Sequence, residues 1–171
     1  MTLKILALTA LLSIPLLVAL LMLGRFEKRR KKRIADDFRA FAHAHPISGR
    51  NLREMRRVLL PVDLDVLMHA TDENGRRLRG RLRDLSLSGI AAFMSGFRRR
   101  LEPGMEVNQA VISTPLNQFC VDRMRLVRIG SGPERHVAAF QFQSIETEQL
   151  KELQRFLGYL DRYQHHETPG H

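Results

Sequence analysis

At residue 62 the apolar residues of this chain begin to recur at every second position. "PVDLDVLMHA" sets Val62, Leu64 and Val66 against Asp63 and Asp65. A period of two belongs to a strand with one buried face. "DENG" follows, and Asn74-Gly75 is the strongest hairpin signal in the chain. Then come "RRLRGRLRDLS" and "GIAAFM", "EPGMEV" leading into "NQAVIST", "FCVDRMRLVRI", and "HVAAFQFQSI", with turn residues between them. About six short strands at regular spacing predict a small antiparallel β-barrel or sandwich. The period then changes. Leu150, Leu153, Phe156, Leu157 and Leu160 mark one face of a helix over 147–163, with Thr147 as candidate N-cap and Glu148 in the first turn. This helix is expected to cover an open end or side of the β domain. Residues 165–171, "HHETPGH", read as a disordered tail.

The other end of the chain differs in kind. Residues 5–23, "ILALTALLSIPLLVALLML", are nineteen residues without a charge. As a helix they extend about 28 Å, close to the hydrocarbon thickness of a bilayer. A single transmembrane helix is expected over residues 1–24. Residues 25–33, "RFEKRRKKR", place seven Lys and Arg against Glu27. Positive charge prefers the cytoplasmic side. The expected topology is an outward N-terminus, a span of the inner (cytoplasmic) membrane, and a C-terminal body in the cytoplasm. Each basic residue near an anionic leaflet contributes about 1 kcal/mol, so the run can also lie on the lipid surface. Ile34, Phe38, Phe41 and Ala42 continue a helical stripe up to Pro46. Residues 25–50 therefore read as a polybasic, amphipathic stalk and linker.

Charge and cysteine narrow the function. The chain carries a net +10, but residues 34–171 hold only +3 of it. A basic run against a bilayer, with few aromatics for base stacking, argues against a nucleic-acid partner. The one cysteine, Cys120, excludes an intramolecular disulfide, and no His precedes or follows it closely enough to suggest activation. His43 and His45 read as a helix end, and the seven His show no zinc-type spacing. No nucleophile elbow, zincin motif or phosphate-cradling Gly-rich loop appears. No enzyme, metal or cofactor is expected.

Two motifs remain. Arg53-Glu54-Met55-Arg56-Arg57 is an R-x-x-x-R just before the first strand. Asp84-Leu85-Ser86-Leu87-Ser88-Gly89 is a D-x-S-x-x-G within a strand pattern, where small and polar residues need a reason. Both motifs, in this order, resemble the PilZ domain family, whose members bind cyclic di-GMP with them. "PVDLDV", "LEPGMEV" and "VAAFQFQSIETEQLKELQRFL" extend the resemblance over roughly residues 51–163. It implies a six-stranded antiparallel β-barrel followed by an α-helix, mainly β overall, over residues 51–164. It also implies a cyclic di-GMP site built from Arg53, Arg57, Asp84, Ser86 and Gly89, with Arg56 as an extra arginine. Leu52 stands where the family often has a basic or polar residue, which leaves the ligand stoichiometry open.

The chemistry suits such a ligand. Guanine presents O6 and N7 on one edge, and a planar guanidinium matches both or pairs with phosphate. Asp84 offers acceptors for the guanine N1–H and N2–H₂ donors. Ser86 is a short hydrogen-bonding group, and Gly89 permits a sharp turn or the approach of a base. Asp84, Ser86 and Gly89 are expected on the outer face of the barrel, with Leu85, Leu87 and Ile90 filling its interior or its rim. The expected function is a membrane-tethered receptor in which ligand orders the arginine segment, resets the domain's orientation and alters contacts with an unnamed protein partner. The alternative is a ligand-free scaffold for protein interaction at the membrane.

Overall fold

The computed structural model describes residues 2–45, 57–95, 101–130 and 137–167, the side chains of 2–16 and 167 excepted. The described residues form seven strands and two helices, in the order α1 (Thr2–Ala44), β1 (Val58–Leu59), β2 (Leu67–Asp72), β3 (Arg77–Ser86), β4 (Gly89–Ser95), β5 (Glu106–Ser113), β6 (Gln118–Ile129), β7 (Val137–Ser144) and α2 (Thr147–Glu167). The order β3-β2-β5-β6-β7-β4 returns on itself through the β3–β4 pairing, so six antiparallel strands close a barrel. The two residues of β1 add to β3 where β2 has ended. The expected barrel and C-terminal helix are both present.

Local chemistry explains the ladder. At the β2–β3 turn the Asp72 carboxylate accepts backbone N–H bonds from Asn74 at 2.9 Å and Arg76 at 2.7 Å, and Gly75 takes φ 73. The period of two turns Leu64, Val66, Met68, Leu82, Ile112 and Phe119 inward. One end of this core is closed by α2, where Leu153, Phe156, Leu157 and Leu160 are buried. In its first turn Lys151 donates to Glu148 at 2.7 Å, and this hydrogen bond holds the Glu148 carboxyl below its ordinary pKa. The helix runs past residue 163 to Glu167, so residues 165–167 of the expected tail are helical. Its last turn has a support: the Phe41 ring lies 5.5 Å from Tyr163 and 5.6 Å from His166.

That support comes from α1, a helix of 43 residues. Phe38 is 0% exposed, inside the same core as the barrel residues, with its ring 5.7 Å from Phe156 and 5.2 Å from Tyr163. Ile34 and Phe41 pack beside it. Polar contacts flank this seam. Arg30 pairs with Asp63 at 2.7 Å, Lys31 with Asp65 at 3.4 Å, and the Arg39 guanidinium donates twice to the Pro115 carbonyl. The segment read as a stalk is thus seated on the domain, and the core reaches back to residue 34.

Among the described residues, no helix is long and apolar enough to cross a membrane. The transmembrane expectation for 5–23 is not supported there. The described side chains begin at Leu17 and meet Arg25 after eight residues, about 12 Å of helix against a hydrocarbon core of roughly 30 Å. Leu17, Leu20, Leu21, Leu23 and Phe26 of this stretch are exposed.

Candidate functional site

The two motifs converge on β3. Leu82 pairs with Ala92 and Asp84 with Ala91, so Arg83 has no partner residue on β4 and forms a β-bulge. Strict alternation would put Leu82 and Asp84 on one face. The bulge shifts the parity, so Leu82 and Leu85 both enter the core and Asp84 and Ser86 turn to the outer wall. Bulges re-aim side chains in this way beside functional sites. Asp84 and Ser86 stand apart from the apolar core cluster yet are only 1% and 7% exposed, Leu85 and Ile90 face inward as expected, and half-buried Leu87 packs at the rim.

Asp84 is the centre of charge. It is 1% exposed and lies between two guanidinium groups. Arg57 Nε stands 3.1 Å from Oδ1, and Arg83 Nε donates to Oδ2 at 3.0 Å. The Arg57 position follows from β1, where Val58 pairs with Leu85 and Leu59 with Asp84. Arg57 Nε is close enough to form an ion pair, yet Oδ1 is buried and has no hydrogen-bond partner among the described residues. A buried acceptor without a donor costs about 1–3 kcal/mol, and each such group calls for an explanation, a bound ligand among them. Arg83 escaped the sequence reading. Its signal is its position just before an outward Asp in a strand whose alternation slips by one.

Ser86 and Gly89 build the wall. The Ser86 hydroxyl donates to the Gly89 carbonyl at 3.1 Å and lies 3.3 Å from the Ser88 hydroxyl, clasping the two-residue β3–β4 turn. Gly89 pairs with Gln141, and a Cβ there would overlap the Phe140 carbonyl oxygen. The glycine is therefore required by the close crossing of β7, a reason other than the turn or the base approach expected. Beside these residues Ala91, Val137 and Ala139 form a second small apolar cluster on the outside of the wall. Arg53 and Arg56 lie outside the described residues. No group of three or more His, Cys, Asp or Glu is placed to hold a metal ion among those described.

Next to Arg83, the residues Leu59, Pro61, Val62, Arg81 and Phe93 line a cavity of about 260 Å³. Leu59, Val62 and Phe93 are exposed, and the Arg81 guanidinium lies 5.8 Å from the centre of the Phe93 ring.

Solved structures share this architecture. The PilZ domain of YcgR from Escherichia coli, solved with c-di-GMP, is 21% identical with a TM-score of 0.56, covering 68% of this chain and 96% of that one. The YcgR chain solved in complex with c-di-GMP is 24% identical with a TM-score of 0.57, and this chain spans 49% of its length. The MrkH–c-di-GMP complex from K. pneumonia is 15% identical with a TM-score of 0.53, covering 67% of this chain and 52% of that one. No curated protein sequence matches. The pattern of the PilZ domain matches residues 51–159, from the R-x-x-x-R segment into α2. The chain belongs to the PilZ domain family.

Proposed function

We propose that this chain is a membrane-tethered receptor for cyclic di-GMP. The observation that carries the reading is Asp84 Oδ1, a buried acceptor without a hydrogen bond between two arginines on the outer wall of a PilZ barrel. Guanine N1–H and N2–H₂ supply the donors this oxygen lacks. Arg57 then turns from Asp84 to the guanine O6/N7 edge or to a phosphate, joined by Arg53 and Arg56. Arg83 keeps the other carboxylate oxygen, so the charge stays paired throughout. Ser86 and Gly89 hold the β3–β4 turn that presents Asp84. That YcgR and MrkH are solved with c-di-GMP supports this reading.

The charge-free run at 5–23 and the basic run at 25–33 support a tether in the inner membrane with the barrel in the cytoplasm. Because Phe38 seats α1 in the core, ligand acts on the arginine segment and the neighbouring surface rather than on the angle between helix and barrel. The test is calorimetric titration of cyclic di-GMP into the full chain in detergent, with GTP as control. Saturable binding should weaken tenfold or more in Arg57→Ala and Asp84→Ala, as expected for charge-assisted hydrogen bonds of about 1.5–3 kcal/mol. A folded chain that gives no heat with the dinucleotide refutes the receptor.

A second reading is a scaffold for protein interaction. The exposed Leu59, Val62 and Phe93 around the neighbouring cavity favour it. Unchanged partner capture by Asp84→Ala would select it.

A further inference from the structure

The ligand floor extends beyond the two motifs. Strand pairing carries the outer face from Asp84 to Ala91 on β4, from Ala91 to Ala139 on β7, and from Ala139 to Arg128 on β6. A parallel row runs from Ser86 to Gly89 to Gln141. The floor between the ends is short, because Gly89, Ala91 and Ala139 rise no higher than a methyl group. Three strand spacings separate the ends, about 14 Å between Cα atoms. An aspartate and an arginine thus stand at the two ends of one row across the wall.

Both ends of the first row are set by the same device. Asp84 follows the bulge residue Arg83. Arg128 follows Val127, the residue left unpaired where the β6–β7 register shifts between Leu126 and Arg128. Without that shift Arg128 would pair with Ala138, whose side chain points into the core. The shift returns Arg128 to the outer wall opposite Asp84. Arg128 is exposed and pairs with no carboxylate among the described residues. Arg125, the neighbouring outward arginine, turns toward the β5 side, where its Nη2 lies 3.8 Å from a Cβ placed on Gly104. Ala91 and Ala139 are 0% and 6% exposed, while Gln141 and Arg128 stand open at the far rim.

We infer that Arg128, with Gln141 beside it, is the far wall of the dinucleotide site: Arg128 pairs with a phosphate of the ligand whose guanine is held at Asp84. This rests on the receptor reading above. An arginine suits the place because its guanidinium meets two phosphate oxygens at once.

The test is calorimetric titration of cyclic di-GMP into the full chain in detergent, as wild type, Arg128→Ala, Gln141→Ala and Arg79→Ala. Arg79 is an exposed outer-face arginine on β3 outside both rows, and Arg79→Ala controls for general loss of positive charge. Thermal unfolding of each variant confirms that the barrel is intact. The expected result is a tenfold or greater loss of affinity in Arg128→Ala, a smaller loss in Gln141→Ala and a change within twofold in Arg79→Ala. Wild-type binding with Arg128→Ala also within twofold overturns the inference and leaves the receptor standing. Equal losses in Arg128→Ala and Arg79→Ala overturn it as well, since the effect is then one of net charge. Absence of binding in the folded wild type removes the receptor and the far wall together.

Discussion

At the scale of single residues, three positions in one motif do three different things. Asp84 is the recognition group of the proposed site, Ser86 clasps a turn, and Gly89 leaves the space through which β7 passes. Their substitutions should separate accordingly. Gly89→Ala drives a methyl into the Phe140 carbonyl and should cost about 2 kcal/mol or more of stability, read from the midpoint of urea unfolding. Ser86→Ala loses the bond to the Gly89 carbonyl, a cost of about 1 kcal/mol with a smaller effect on affinity than Asp84→Ala. The motif was legible in the sequence; this division of labour was not. Spacing shows that Gly89 is glycine, but only the register against β7 shows why. Arg83 was passed over for a related reason: a bulge adds one residue to a strand, and its only trace is the apolar period shifting parity between Leu82 and Leu85.

At the scale of elements, the period of two and the stripe of α2 announced a small antiparallel barrel or sandwich with a covering helix, and the resemblance to the PilZ family implied the barrel. What each amphipathic face would meet was less plain. The stripe Ile34, Phe38 and Phe41 fits a surface helix as well as a docked one, and only the packing against Phe156 and Tyr163 decides. Phe38→Ala should therefore cost about 3–5 kcal/mol, whereas Phe26→Ala, at a position 72% exposed, should leave the unfolding midpoint unchanged. The extra turn of α2 follows from the same contact, since its end leans on Phe41. The first turn of α2 has a pH signature. The Glu148 pKa is depressed by Lys151, so its contribution is present above the unfolded-state carboxylate pKa and is lost as pH falls through the lower folded value. Melting temperature against pH should lose a shallow acid-side slope in Glu148→Gln.

At the scale of the whole molecule, the domain is joined to its N-terminal helix by packing first and by charge second. The pairs Arg30–Asp63 and Lys31–Asp65 are both partly exposed, and such pairs contribute about 0–1 kcal/mol each. Asp63→Asn with Asp65→Asn should thus lower stability by no more than about 2 kcal/mol, and by less as salt rises. Phe38→Ala should remain costly at any ionic strength.

The seating of α1 also sets a height. Arg30, which grips Asp63, stands five residues after Arg25, about 8 Å along the helix axis. If Arg25 marks the lipid headgroups, the barrel has almost no clearance and hangs directly beneath them. On the membrane-tethered reading proposed above, a receptor held so close searches a thin layer along the bilayer rather than the volume of the cell. On the same reading, a protein partner has to be membrane-bound itself or come to that layer to be met.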